Sequence, residues 1–103
     1  MRRNLQTRHM WKLIRETEKE HAAMQTWILQ NTQTLHQLNK EKNKYIADTD
    51  PKTYGSNEAQ REAALAVKFP QIEDAKQNIK IAKLGLESSE FRMRCLELLK
   101  EYQ

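Results

Sequence analysis

Between about Leu5 and Ala47 the chain has neither glycine nor proline, and one series of positions recurs in alternating steps of three and four. It reads Met10, Ile14, Thr17, His21, Met24, Ile28, Asn31, Leu35, Leu38, Lys42 and Tyr45. Such steps keep side chains on one stripe of an α-helix, the seam by which helices pair in coiled coils. The pattern predicts a helix over about 5–47. Its seam is diluted by the polar entries at 17, 21, 31 and 42, and a seam that mixed is weak alone. Asn31 in that series is the kind of residue that sets register at some cost in stability.

The pattern stops at Asp48-Thr-Asp-Pro-Lys-Thr-Tyr-Gly-Ser-Asn57, which holds a proline, the first glycine and a cluster of Asp, Asn, Ser and Thr. This is a turn signal, read as a loop over 48–57. Ser56 or Asn57 then suits the start of a helix, and Gln60 stands three residues after Asn57, the spacing of a capping box. The Asp-x-Asp pair is not a calcium loop, because Lys52, the offset of Gly55 and the missing terminal Glu break that motif.

From Glu58 to about Glu101 a second seam is more regular. Leu65, Ile72, Ile79, Leu86 and Met93 repeat every seven residues, with Lys68, Ala75, Ala82, Ser89 and Leu96 between them. Large residues alternating with small ones let two helices approach closely. Pro70 is expected to kink this helix or to start a new one after a short first segment. Gly85, on the rim of the seam, weakens the helix by about 1 kcal/mol relative to alanine. Two helical segments of nearly equal length joined by a ten-residue loop predict an all-α fold, a single domain over 1–103 built as a long antiparallel helical hairpin.

The second helix carries a further stripe away from its seam: Ile81, Leu84, Ser88, Phe91, Cys95, Leu98 and Tyr102. The opposing half of the first helix adds Trp11, Leu13, Trp27 and Leu29. One internal seam cannot cover all of these, and contiguous exposed apolar surface marks an interface. Trp11, Leu13, Trp27, Leu84, Phe91 and Leu98 are the expected contacts. The occupant is a second copy completing a four-helix bundle, a different protein, or a frayed terminus folded back as a cap.

Composition narrows the chemistry. With 31% charged residues, two glycines and two prolines in 103 residues, sheet architectures are close to excluded. One cysteine removes a disulfide framework and any cysteine-rich zinc site. His9, His21 and His36 have no metal-ligand spacing, and the isolated glycines form no phosphate loop. No catalytic residue, metal or cofactor is therefore expected, and no small-molecule substrate. No apolar run approaches the roughly 20 residues that span a bilayer, and Arg2-Arg3 precedes no apolar core, so a cytoplasmic setting without membrane attachment is expected.

The net charge of +4 is unevenly placed. Arg2, Arg3, Arg8, Lys12 and Arg15 give residues 1–15 a charge of +5, and the remainder carries −1. That basic arm is either a solvated terminus or a set of contacts to phosphate or to an acidic protein surface. Trp11 among these cations admits base stacking, although its helical spacing with Ile14 suits packing better.

The stretch Ser56-Asn-Glu-Ala-Gln-Arg-Glu-Ala-Ala-Leu65, the lysine- and tyrosine-containing approach over Lys42–Tyr54, and the ending Glu90-Phe-Arg-Met-Arg-Cys-Leu-Glu-Leu-Leu99 resemble a group of small phage and prophage proteins with an Asn-Glu-x-x-Arg helix start. The resemblance covers roughly residues 42–99 and leaves out 1–41. It implies a phage accessory protein in a bacterial cytoplasm, near recombination or replication machinery, with structural roles for Asn57 and Arg61 at the helix start. By analogy of class alone, host-defence complexes such as CRISPR effectors are also among its possible targets. The expected function is a non-enzymatic, dimeric interaction protein that modulates or inhibits such a complex. The alternative is direct nucleic-acid binding through the basic arm.

Overall fold

The computed structural model describes the backbone of residues 2–102 and the side chains of residues 8–102. Three α-helices account for nearly all of it: α1 (Arg2–Asp48), α2 (Glu58–Lys68) and α3 (Pro70–Glu101), with one 3₁₀ turn at Pro51–Thr53. No strand occurs among the described residues. The first helix begins three residues before the expected Leu5.

The break at Pro70 starts a new helix rather than bending an old one. A residue before proline is pushed out of helical conformation, and proline itself is tolerated in the first helical turn. Phe69 accordingly leaves the helix at φ −122°, ψ 60°, its N–H still donating to Leu65 O at 2.9 Å. Pro70 then opens α3.

The chain divides into two compact units. One is built from the chain up to Ile28 and from Ile81 onward, the other from Leu29–Lys80. In both, α1 and α3 run antiparallel, as the hairpin reading requires. Glu20 pairs with Arg92 and His21 with Ser89 in the first unit; Asn31 pairs with Asn78 in the second.

The seam on α1 is the expected one. Every position of the series from Met10 to Tyr45 is buried or half-buried, while nearly every other described residue of α1 is exposed. On the other side the core consists of Leu65, Ile72, Ala75, Ala82 and Ser89. Lys68 is the correction to that series: it is exposed, and its Nζ lies 4.2 Å over the Tyr45 ring instead of entering the seam. A lysine keeps its ammonium in water while an aromatic face attracts it, so the seven-residue pattern is met by a cation–π contact.

In the second unit, Leu29–Lys80, the helices close around aromatic side chains. Tyr45 meets Tyr54 at 5.7 Å between ring centroids and Phe69 at 6.0 Å, the latter edge-on. The connecting segment is tied by its own polar groups. Asp50 accepts from the Lys52 N–H at 3.1 Å, and Thr53 N–H donates to Asp50 O at 2.9 Å. Asn57 is the cap of α2, accepting from Gln60 N–H at 2.9 Å. The Gln60 side chain reaches back to Ser56, accepting from its N–H at 3.0 Å and from its hydroxyl. Of the two candidate capping residues Asn57 is therefore the cap, and Ser56 only donates, by its N–H and hydroxyl, to the returning Gln60 side chain. Gly55 is required by space: a Cβ there would stand 2.7 Å from Arg61 N and 2.8 Å from Arg61 Cγ.

In the first unit the seam holds polar residues that satisfy one another. Ser89 is fully buried; its hydroxyl donates to Leu86 O at 2.8 Å, which leaves the Nδ1–H of His21 as donor across the 3.0 Å contact to Ser89 Oγ. Thr17 is buried and donates to Leu13 O at 2.8 Å. No buried side-chain polar atom among the described residues lacks a partner. A seam of Thr17, His21 and Ser89 is stable only because each hydroxyl has its bond, since an unmade buried bond costs about 1–3 kcal/mol.

Candidate interaction surfaces

The first unit exposes large apolar side chains that its seam has no room for. On α3, Ile81, Leu84, Phe91 and Leu98 are each between 58% and 67% exposed, and Tyr102 and Leu99 lie open beside them. On α1, Trp11, Leu13 and Trp27 are between 38% and 50% exposed. Cys95 belongs to the α3 stripe but is half-buried.

Helical periodicity divides the six expected contacts among three surfaces. At 100° per residue, Leu84, Phe91 and Leu98 share one line on the face of α3 opposite Ala82 and Ser89. Leu13 and Trp27 lie on the flank of α1 that also bears Glu20, the side where Glu20 Oε2 meets Arg92 Nη2 at 2.6 Å. Trp11 lies on the other flank, under Lys100 Nζ at 4.4 Å from its ring. The outer line of α3 is therefore one surface, and the α1 residues lie on two others, one on each flank of α1.

The basic arm is also ordered by the helix. Arg8, Lys12, Arg15 and Lys19 recur at steps of four, three and four, so the cations form a row on the outer face of α1. With Trp11 and Glu16 they line a concavity of about 670 Å³. Being lined by one helix only, it is an open surface rather than an enclosed site. Lys19 extends the row beyond the residues expected from sequence; the signal was its four-residue step from Arg15. Arg2 and Arg3 lie outside the residues with described side chains.

A second groove, about 300 Å³, lies in the second unit between Lys42, Leu65, Ala66, Phe69 and Ile72, with Glu62, Glu73 and Lys76 at its rim. Its apolar floor is the seam itself. Among the described residues, no three His, Cys, Asp or Glu side chains gather as a metal site, and no helix is long and apolar enough to cross a membrane. No family model, curated protein or solved structure matches the chain.

Proposed function

We propose that the chain is a non-enzymatic interaction protein whose first unit is its working half. The observation that carries this reading is the uncovered apolar line Leu84–Phe91–Leu98, flanked by further exposed apolar residues on both helices. Each side chain of that line, about two-thirds exposed, forgoes roughly 1–2 kcal/mol of burial. A second copy covers the α3 line, and Trp11, Leu13 and Trp27 serve a protein partner. From the resemblance of residues 42–99, that partner is a bacterial nucleic-acid-processing complex of recombination, replication or host defence, and binding modulates or inhibits it in the cytoplasm of a phage host.

The test is capture by the tagged full chain from bacterial lysate, with and without nuclease. Retention that survives nuclease and falls in Leu13→Asp or Trp27→Asp supports the reading. Retention abolished by nuclease overturns it.

The row Arg8–Lys12–Arg15–Lys19 favours a second reading, direct binding to a phosphate backbone. A single face of four cations beside an exposed tryptophan has the composition of a sequence-independent nucleic-acid contact. Affinity would then fall steeply with salt, and Lys12→Glu with Arg15→Glu would abolish it. Binding unchanged by those two substitutions removes this reading.

A further inference from the structure

The outer stripe of α3 has charged borders as well as an apolar centre. Ile81, Leu84, Ser88, Phe91, Cys95, Leu98 and Tyr102 follow the alternating steps of a pairing seam. Along one border stand Lys80, Glu87, Arg94 and Glu101, seven residues apart, exposed and alternating in sign. None of the four makes an ion pair with another described residue. Along the other border run Asn78, Gly85, Arg92 and Leu99, where Arg92 is already held by Glu20.

An alternating row of this kind is its own complement when turned end for end. We propose that the outer face of α3 pairs antiparallel with the same face of a second copy, about a twofold axis close to residue 90. In that register Glu87 faces Arg94 of the second copy and Lys80 faces Glu101, each contact occurring twice by symmetry. The same register sets Phe91 opposite Ser88, Leu84 opposite Cys95 and Ile81 opposite Leu98. The Phe91 ring thus meets Ser88, the smallest side chain of the stripe, at the axis, the large-against-small packing that close helix approach needs. Arg92 faces Gly85, so the second border brings no like charges together.

Other pairings lose these matches. Sliding one copy by seven residues sets Arg94 against Arg94 in one direction and Glu87 against Glu87 in the other. A parallel pair stacks Phe91 on Phe91, and its cross-border partner for Glu87 is Arg92, which Glu20 occupies. Since α3 meets α1 on one side and its copy on the other, the four helices lie in the order α1, α3, α3, α1. This layer leaves Leu13 and Trp27 on its surface, so self-pairing does not compete with a further partner there.

The inference rests on the reading above that the α3 line is an interface, and sedimentation equilibrium of the full chain separates the two. The wild type is expected to be dimeric within a range of about 1–100 µM. Glu87→Arg and Arg94→Glu should each weaken self-association by about tenfold or more, because each replaces two attractive contacts with two repulsive ones. Mixing those two variants should restore dimers, since each copy then supplies the charge that the other needs. With oxidised glutathione, Leu84→Cys should give a covalent dimer through Cys95. Wild type should not, because the two Cys95 residues lie about 16 Å apart along the axis.

A wild type that stays monomeric throughout, or a dimer indifferent to Phe91→Asp, overturns both the interface and the pairing. A dimer that needs Phe91 but ignores both charge reversals overturns the register alone. A wild-type disulfide dimer overturns it too, since that requires a parallel pair or an antiparallel one whose axis lies near residue 95.

Discussion

The two units are made from the same two long helices, yet they finish their surfaces differently. Among the described residues, nine large hydrophobic side chains are exposed in the unit that holds Trp11 and Phe91, against three in Leu29–Lys80. In Leu29–Lys80 a third element is available: α2 and the connecting segment bring Tyr54, Leu65 and Phe69 onto α1, and polar residues such as Asp74 and Gln77 take the outer face of α3. The other unit has only two helices, and small residues (Ala82, Ser89) draw them together. Two helices offer one seam, which takes Met10, Ile14, Met24, Ile28, Leu86, Met93 and Leu96 and leaves the other large hydrophobic residues facing outward. Whether a helix face is apolar thus depends on what else the chain can lay over it.

The sharpest way to break this comparison is to remove one large residue from each unit. Ile72→Ala deletes a buried side chain in Leu29–Lys80 and should lower stability by about 2–5 kcal/mol. Phe91→Ala removes a larger but exposed ring and should leave the isolated chain's stability within about 0.5 kcal/mol. Urea melts followed by circular dichroism at low protein concentration, where self-association does not contribute, would read both. Equal losses would mean that the Phe91 face is covered within the chain.

A smaller effect contrasts the two glycines. At Gly55 an added Cβ meets the backbone of Arg61, which cannot step aside, so Gly55→Ala should cost about 1–3 kcal/mol. At Gly85 the neighbour is Met24 Sδ at 3.0 Å, the middle of a flexible side chain. Gly85→Ala should therefore raise the melting temperature, by up to the equivalent of about 1 kcal/mol of helix propensity. A loss at Gly85 would show the helices of that unit to be as tightly constrained as the turn at Gly55.

The smallest effect belongs to the Glu20–Arg92 pair. Both side chains are about half exposed, at 51% and 49%, so solvent screens the 2.6 Å contact. Glu20→Gln should cost about 0.2–1 kcal/mol, and less as salt is added. A double-mutant cycle with Arg92→Gln measures the coupling; a value well above 1 kcal/mol would assign this unit an electrostatic clamp in place of a merely packed seam.

Much of this was readable along the chain because helix periodicity converts spacing directly into burial. Met10 to Tyr45 and Leu65 to Leu96 could be assigned to the seam without knowing what they touch, and Lys68 failed because an aromatic ring offered it a place outside. The aromatic group of Tyr45, Tyr54 and Phe69 was not foreseen. Its members sit in three different elements, and nothing in their spacing says that a turn, a helix end and a proline break converge. The Glu20–Arg92 contact was likewise hidden, since it depends on how the two helices are slid against each other. The α3 stripe was legible, but its separation from Trp11, Leu13 and Trp27 needed the orientation that the ion pair supplies.

The turn around Gly55 has a consequence in time. Tyr45, Tyr54 and Phe69 are brought together by closing a short stretch of chain, whereas Asn31 must find Asn78 across 47 residues and His21 must find Ser89 across 68. Short closures are entropically cheapest and occur first, and each one made shortens the next search. Pairing should therefore start at the turn and zip away from it, with the Trp11–Lys100 contact last to close. During synthesis, Phe91 and Leu98 emerge after α1 and α2, so the exposed stripe is presented only once the helix it pairs with already exists.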